Sequence, residues 1–443
     1  MRRHLVALLA ATSVIMLTGG AAAAGPAGPT GVSTVRVSVS AKGHQANSYA
    51  YEPAVSGNGR YVAYFSDASN LVPGDTNDWN DVFVYDSWTQ AVQRVSVTSD
   101  EAQVSRGGNQ PAISDDGRFV AFASDDPALV PNDTNGFSDI FVRDRLAGTT
   151  TRVSVTSTGQ EQTGGGAAAA ELSGDGRYVV YWSAAPDLVP GDTNENMDVF
   201  RFDRLTGRTE LVSVADDGQP AIGQSGYPGG PGVSDDGRYV VFESDAANLV
   251  PDDGNGPALD VFVRDMVAGR TFLISRASDG TPGDVDSYWP SISSDGRFVA
   301  FNSDATNLVP NDTNGEWDIF VRDRVAGLTT IVSVASNGVQ GNDISYTPDI
   351  SGNGRYVTFF AIASNLVAGD TNATWDIFVH DRWRATTVRA SVSTDGAQAD
   401  NGSQLPSISN NGHAVVYESD ATNLVRPDHN RTTDVLLTRL PTA

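Results

Sequence analysis

Of 443 residues, 29 are Lys or Arg and 54 are Asp or Glu, and the resulting formal net charge of −25 excludes nucleic acid as a partner held by bulk charge. Cysteine is absent, which removes disulfides, thiolate metal sites and a cysteine nucleophile together. With 45 Gly, 21 Pro and frequent Val, Ile, Thr and aromatic residues, the composition points to an all-β protein with many turns.

The chain opens with Arg2 and Arg3, an apolar run over residues 5–17 and the small residues Ala22, Ala23 and Ala24. This order reads as an export signal over residues 1–24, followed by a short linker over 25–32. Gly19 and Gly20 end the apolar run at a length short of a membrane span. No second apolar span follows, so the expected product is released to the cell exterior; it is expected to be a monomer.

From residue 33 onward one phrase recurs, a Gly-Arg turn followed by an alternating strand. Its glycines are Gly59, Gly117, Gly176, Gly237, Gly296, Gly354 and Gly412, at spacings of 58, 59, 61, 59, 58 and 58 residues. Each copy resolves into four short strands; in the second they are expected at 110–114, 118–124, 139–144 and 151–155. Four antiparallel strands cannot bury both faces alone, so seven copies must stack around an axis as a seven-bladed β-propeller spanning 33–443. The last copy lacks its fourth strand, and an Arg-Val-Ser-Val phrase at residues 35–39 precedes the first copy. Pairing the two closes the last blade and removes an open edge.

At the phrase Ser293-Ser-Asp-Gly-Arg-Phe-Val-Ala-Phe301, followed by Asp318-Ile-Phe-Val321, the chain resembles the WD40-like propeller repeat of the TolB type. The resemblance covers about residues 33–440 and implies the propeller fold. It implies no single activity, because such propellers serve in scaffolds, beside hydrolase domains and in lyases. No α/β domain is expected beside the blades, so the translocation role of TolB does not carry over. The loop between the second and third strands is also longer than in that family.

Two sets of polar residues recur. Arg60, Arg118, Arg177, Arg238, Arg297 and Arg355 follow the turn glycines, and Asp86, Asp144, Asp203, Asp265, Asp323 and Asp381 end the third strands. Copy seven changes both positions together, to His413 and Arg439, so the expected role is a framework ion pair within each blade. The long loop carries Asp-x-Asn and a further Asp: Asp75, Asn77 and Asp81 in copy one, then Asp133, Asn135 and Asp139, Asp192, Asn194 and Asp198, and Asp253, Asn255 and Asp260. Copies five to seven continue with Asp312, Asn314 and Asp318, Asp370, Asn372 and Asp376, and Asp428, Asn430 and Asp434. Such oxygens suit Ca²⁺; they equally suit side-chain-to-backbone turns, with the last Asp capping the next strand. Both readings stand at this point.

In a four-stranded meander these loops share one face with the polar connections between blades, such as Gly338-Val-Gln340. Aromatic residues mark the same face: Trp79, Phe137, Trp317 and Trp375 in the long loops, and Tyr51, Tyr288 and Tyr346, together with Trp289, just before the innermost strands. They either cover blade edges or form a stacking platform for a sugar or peptide. His44, His380, His413 and His429 are scattered without ligand spacing, and no nucleophile elbow or phosphate loop is present. The expected function is therefore a secreted, non-enzymatic binding or scaffold propeller for an extracellular protein or glycan. The alternative is a polysaccharide lyase or glycosidase.

Overall fold

The computed structural model describes residues 31–251 and 253–441; the export signal read over residues 1–24 lies outside the described residues. Among the described residues there is no helix, so none is long and apolar enough to cross a membrane. Twenty-eight strands among the described residues form seven antiparallel sheets of four, arranged as a seven-bladed β-propeller. Blade two shows the pattern. Strand A, next to the axis, is Asn109–Ile113, and B, C and D follow outward as Phe119–Ser124, Asp139–Asp144 and Thr149–Arg152.

The B and C strands are buried on both faces, which is why they read as nearly continuous apolar runs. Seven apolar clusters among the described residues each join two neighbouring blades, the seventh to the first included. In blades one to six the core holds a stacked ring pair formed by cross-strand partners, such as Phe122 and Phe141 at 6.0 Å.

Closure is achieved by Ser33–Arg36, which pairs with Asp434–Arg439 from Ser33 opposite Arg439 to Arg36 opposite Leu436. The ladder thus starts two residues before the expected 35–39 and ends with the bond from Val37 N to Val435 O. Val39 turns away and bridges Gln45. The same two-residue shift holds in blade two, where D is Thr149–Arg152 instead of 151–155. The serine of Arg-Val-Ser-Val is the cause. Ser154 Oγ donates to Asp139 Oδ1 at 2.5 Å and accepts from Ile140 N at 3.0 Å, which takes this stretch out of the strand ladder.

A–B and C–D hairpins lie on one face of the disc, and B–C loops and D–A connections on the other. On the hairpin face Gly117 adopts φ +74°, and a Cβ there would come within 2.1 Å of the Tyr61 ring in blade one. The expected ion pairs form here. Arg118 donates from Nε to Asp144 Oδ1 at 2.9 Å and from Nη2 to Oδ2 at 2.6 Å, and blades one and three to six repeat this fork. In blade seven Arg439 instead reaches Gly59 O and Ser87 Oγ of blade one.

The guanidinium forks hold Asp144, Asp203 and Asp265 at about 2, below the usual carboxylate range. A carboxylate with its folded pKa lowered adds stability above its unfolded pKa of about 4, and this is lost as pH falls through about 2. Urea melts should therefore show stability dropping between about pH 4 and pH 2. In Asp144→Asn the drop should be shallower by one group's worth; an identical slope would contradict the pairing.

Candidate functional site

On the loop face each long loop folds back through a buried leucine, such as Leu71 and Leu129, and brings its first Asp toward the Asp that opens strand C. In blade one Asn77 Nδ2 donates to Asp81 Oδ2 at 3.2 Å and to Val104 O at 2.9 Å. Arg94, at the end of strand D, enters the pocket from the outer edge. Its Nη1 lies 3.3 Å from Asp75 Oδ1 and 3.2 Å from Asp81 Oδ2, while Gln103 Nε2 donates to Asp75 Oδ1 at 2.9 Å. Blade six repeats this with Arg389, Asp370, Asp376 and Gln398. In blade seven Arg36 Nε lies 2.7 Å from Asp434 Oδ2, with Asp428 near its other end.

Blade two adds a third carboxylate. Asp133, Asp139 and Glu161 offer oxygens within 4.8 Å of one another, a spacing that suits a metal ion. Arg152 Nη1 already lies among them, at 3.3, 3.4 and 2.8 Å respectively. In blades one, two, six and seven a guanidinium is thus the cation of the pocket. Blade five has Ile331 at the arginine position, and Gln340 Nε2 alone bridges Asp312 Oδ1 at 2.7 Å and Asp318 Oδ2 at 2.6 Å. Blades three and four have neither donor, because Leu211 and Leu273 replace the arginine, and Pro220 and Pro282 replace the glutamine.

The predicted aromatic residues divide into two groups. Tyr288, Trp317, Tyr346 and Trp375 gather on blades five and six: Tyr288 to Trp317 at 5.0 Å, Trp317 to Tyr346 at 6.0 Å, Tyr346 to Trp375 at 6.1 Å. Trp289 joins edge-on to Tyr346 at 5.5 Å, and Phe360 backs Trp375 at 5.2 Å. Trp79 (56% exposed) and Phe137 (40%) stand on blades one and two, and Tyr51 stacks on Tyr49 at 5.6 Å and meets Phe65 at 5.7 Å in blade one.

Tyr51, Tyr288, Trp289 and Tyr346 lie inside the innermost strands, which corrects the expected placement before them. Each A strand concerned carries a bulge in which a residue of positive φ, such as Glu52, Trp289 or Thr347, precedes a proline. A proline breaks the alternating pattern and reads as a strand boundary. Blade four departs further, its A strand shrinking to Gly232–Val233 within the 61-residue interval.

Next to the inner strands lie polar atoms that the sequence did not mark. Glu243 and Glu418, next to last in their B strands, accept the bulge N–H of the following blade, from Trp289 at 2.8 Å and Glu52 at 3.1 Å. Asn302 holds the same position in blade five, opposite Tyr288, fully buried, with neither Oδ1 nor Nδ2 bonded within the protein. Trp289 Nε1 and Asp304 Oδ1 are likewise buried without a protein partner. Burial and the neighbouring charges of Asp286 and Asp284 push Asp304 up.

The axis holds a cavity of about 260 Å³ between the A strands. Its ionisable lining is acidic, from Glu52, Asp115, Glu171, Asp235 and Asp349, with no His, Lys or Arg among the described residues. Burial and the charge of Asp235 push Asp115 up to about 6. His380 lies away from it in a C strand, with Nδ1 2.9 Å from Thr387 Oγ1, and burial lowers its pKa to about 4, so it is neutral at pH 7.

No family model matches the sequence, and a search of curated proteins finds no match. Solved structures do match. An oligogalacturonate lyase in complex with manganese is 13% identical over 95% of this chain and 99% of its own, with a TM-score of 0.55. The β-propeller domain of the Trilobed protease from Pyrococcus furiosus is 13% identical over 88% and 95%, at 0.51; it has an open velcro topology, whereas this chain is closed by its N-terminal strand. TolB from Acinetobacter baumannii is 14% identical over 79% and 67%, at 0.43. At these identities the likeness is one of fold. The protein is a closed seven-bladed β-propeller, with TolB proteins among its structural neighbours.

Proposed function

We propose that this is a secreted, non-catalytic binding propeller whose ligand, an uncharged glycan of the cell exterior, docks on the loop face against the aromatic cluster of blades five and six. The observation that carries the reading is the gathering of Tyr288, Trp317, Tyr346 and Trp375 beside buried, unpartnered polar atoms of Trp289, Asn302 and Asp304. A sugar presents C–H faces that stack on aromatic planes and hydroxyls that both donate and accept at their edges. Indole N–H, amide and carboxyl groups are complementary to those hydroxyls. An anionic ligand is disfavoured by the net charge of −25 and the acidic lining of the axial cavity.

Export rests on the signal read at residues 1–24. The rival enzyme reading gains from the likeness to an oligogalacturonate lyase. It loses because an acidic sugar needs a basic or metal centre, and no cationic side chain lines the axis among the described residues. Calcium, in this reading, organises loops and does not touch the ligand.

A glycan and peptide array followed by turnover assays on each hit is the test. Neutral oligosaccharides should bind without release of product, and Trp375→Ala should weaken a hit by about tenfold. Product formation that disappears on replacing a single Asp would overturn the binding reading, and hits confined to peptides would overturn the choice of ligand.

A further inference from the structure

We infer that the Asp-x-Asn pockets of blades three and four are hard-cation sites, each holding one Ca²⁺, and that those of the other five blades are not. The seven pockets provide the comparison. In blades one, two and six the arginine Nη1 faces Oδ1 of the loop Asp and Oδ2 of the strand-C Asp, as with Asp75 and Asp81 in blade one and Asp370 and Asp376 in blade six, and in blade seven Arg36 meets the same two atoms through Nη2 and Nε. In blade five the Gln340 amide meets the same two atoms. In blades three and four those same atoms are buried without a partner: Asp192 Oδ1 and Asp198 Oδ2, and Asp253 Oδ1 and Asp260 Oδ2.

Asp198 and Asp260 are both 0% exposed, and their Oδ1 atoms are bonded by Ser213 and Ser275 at 2.5 Å. Only Oδ2 is left, aimed at the point where the other blades place a cation or an amide. Two close carboxylates buried without compensation are costly.

The donor set decides the class of ion. Each pocket offers two carboxylates and a neighbouring Asn side chain, all oxygen-bearing and without imidazole or thiolate, which selects a hard cation over zinc or copper. The first Asp and the Asn of each pocket sit on a loop that tolerates irregular geometry, which suits Ca²⁺ better than Mg²⁺, while Asp198 and Asp260 open strand C. Blade two, which gathers the most carboxylates, is filled by Arg152 and is not a site.

Calorimetric titration of the chelator-treated, dialysed chain with CaCl₂ at neutral pH should give two ions per chain. Leu211→Arg and Leu273→Arg copy what blades one, two and six already contain, so they should fold, and each should remove one ion, the double variant both. Asp198→Asn and Asp260→Asn give the same count by removing a ligand. Fewer than two ions in the wild type up to millimolar Ca²⁺, or two ions retained in the double arginine variant, would overturn the inference.

Discussion

Deleting residues 33–37 is expected to lower the melting temperature by about 10 °C or more and to make the protein self-associate. The segment does three things at once. It forms the outer strand of blade seven, paired from Ser33 opposite Arg439 to Arg36 opposite Leu436. It places Val37, fully buried, in the cluster between blades seven and one, where loss of a side chain of that size costs about 1–3 kcal/mol. It also carries Arg36, whose removal leaves Asp434 and Asp428 buried without a cation, at about 3–5 kcal/mol. Thr34 further ties the segment to blade six by donating to Val392 O. Truncation at residue 31, which spares the strand, is the control. An unchanged melt after removal of 33–37 would show that the ring does not depend on this strand.

Arg152→Leu is the second large effect. It leaves Asp133, Asp139 and Glu161 facing one another with no positive charge, and stability should fall by about 3–5 kcal/mol in chelator. The variant also makes blade two resemble blades three and four, with one carboxylate more. Millimolar Ca²⁺ should then restore much of the lost melting temperature through binding to the folded state alone. A loss that Ca²⁺ leaves untouched would mean that the triad is held too rigidly around the guanidinium to accept an ion.

The two effects draw on features that were legible to different degrees in the sequence. The regular glycines set the blade number, and the C strand at 139–144 matches Asp139–Asp144, because an Asp at each end marks its limits. The D strand was read two residues late. Val153 and Val155 alternate like strand residues, yet Ser154 between them bonds back to Asp139, and beyond Arg152 pairing continues only through the bond from Val153 N to Ile140 O. With the true register, the residue ending strand D is the one that enters the loop pocket. Arg94, Arg152 and Arg389 against Leu211, Leu273 and Ile331 was therefore a visible difference whose meaning depended on that register. The aromatic residues were visible one by one, but the gathering of Tyr288, Trp289, Trp317, Tyr346 and Trp375 on blades five and six depends on side-chain direction at the bulges. Asn302 carried no local signal, since a single Asn near a strand end looks like a turn residue.

The affinity of one array-selected oligosaccharide for two tryptophan variants on the same face separates docking on the cluster from docking elsewhere. Trp317→Ala removes a ring within the cluster, whereas Trp79→Ala removes an exposed ring outside it. Trp317→Ala is expected to lose about tenfold or more, with an unchanged affinity for Trp79→Ala. Equal losses, or a loss only in Trp79→Ala, would contradict it.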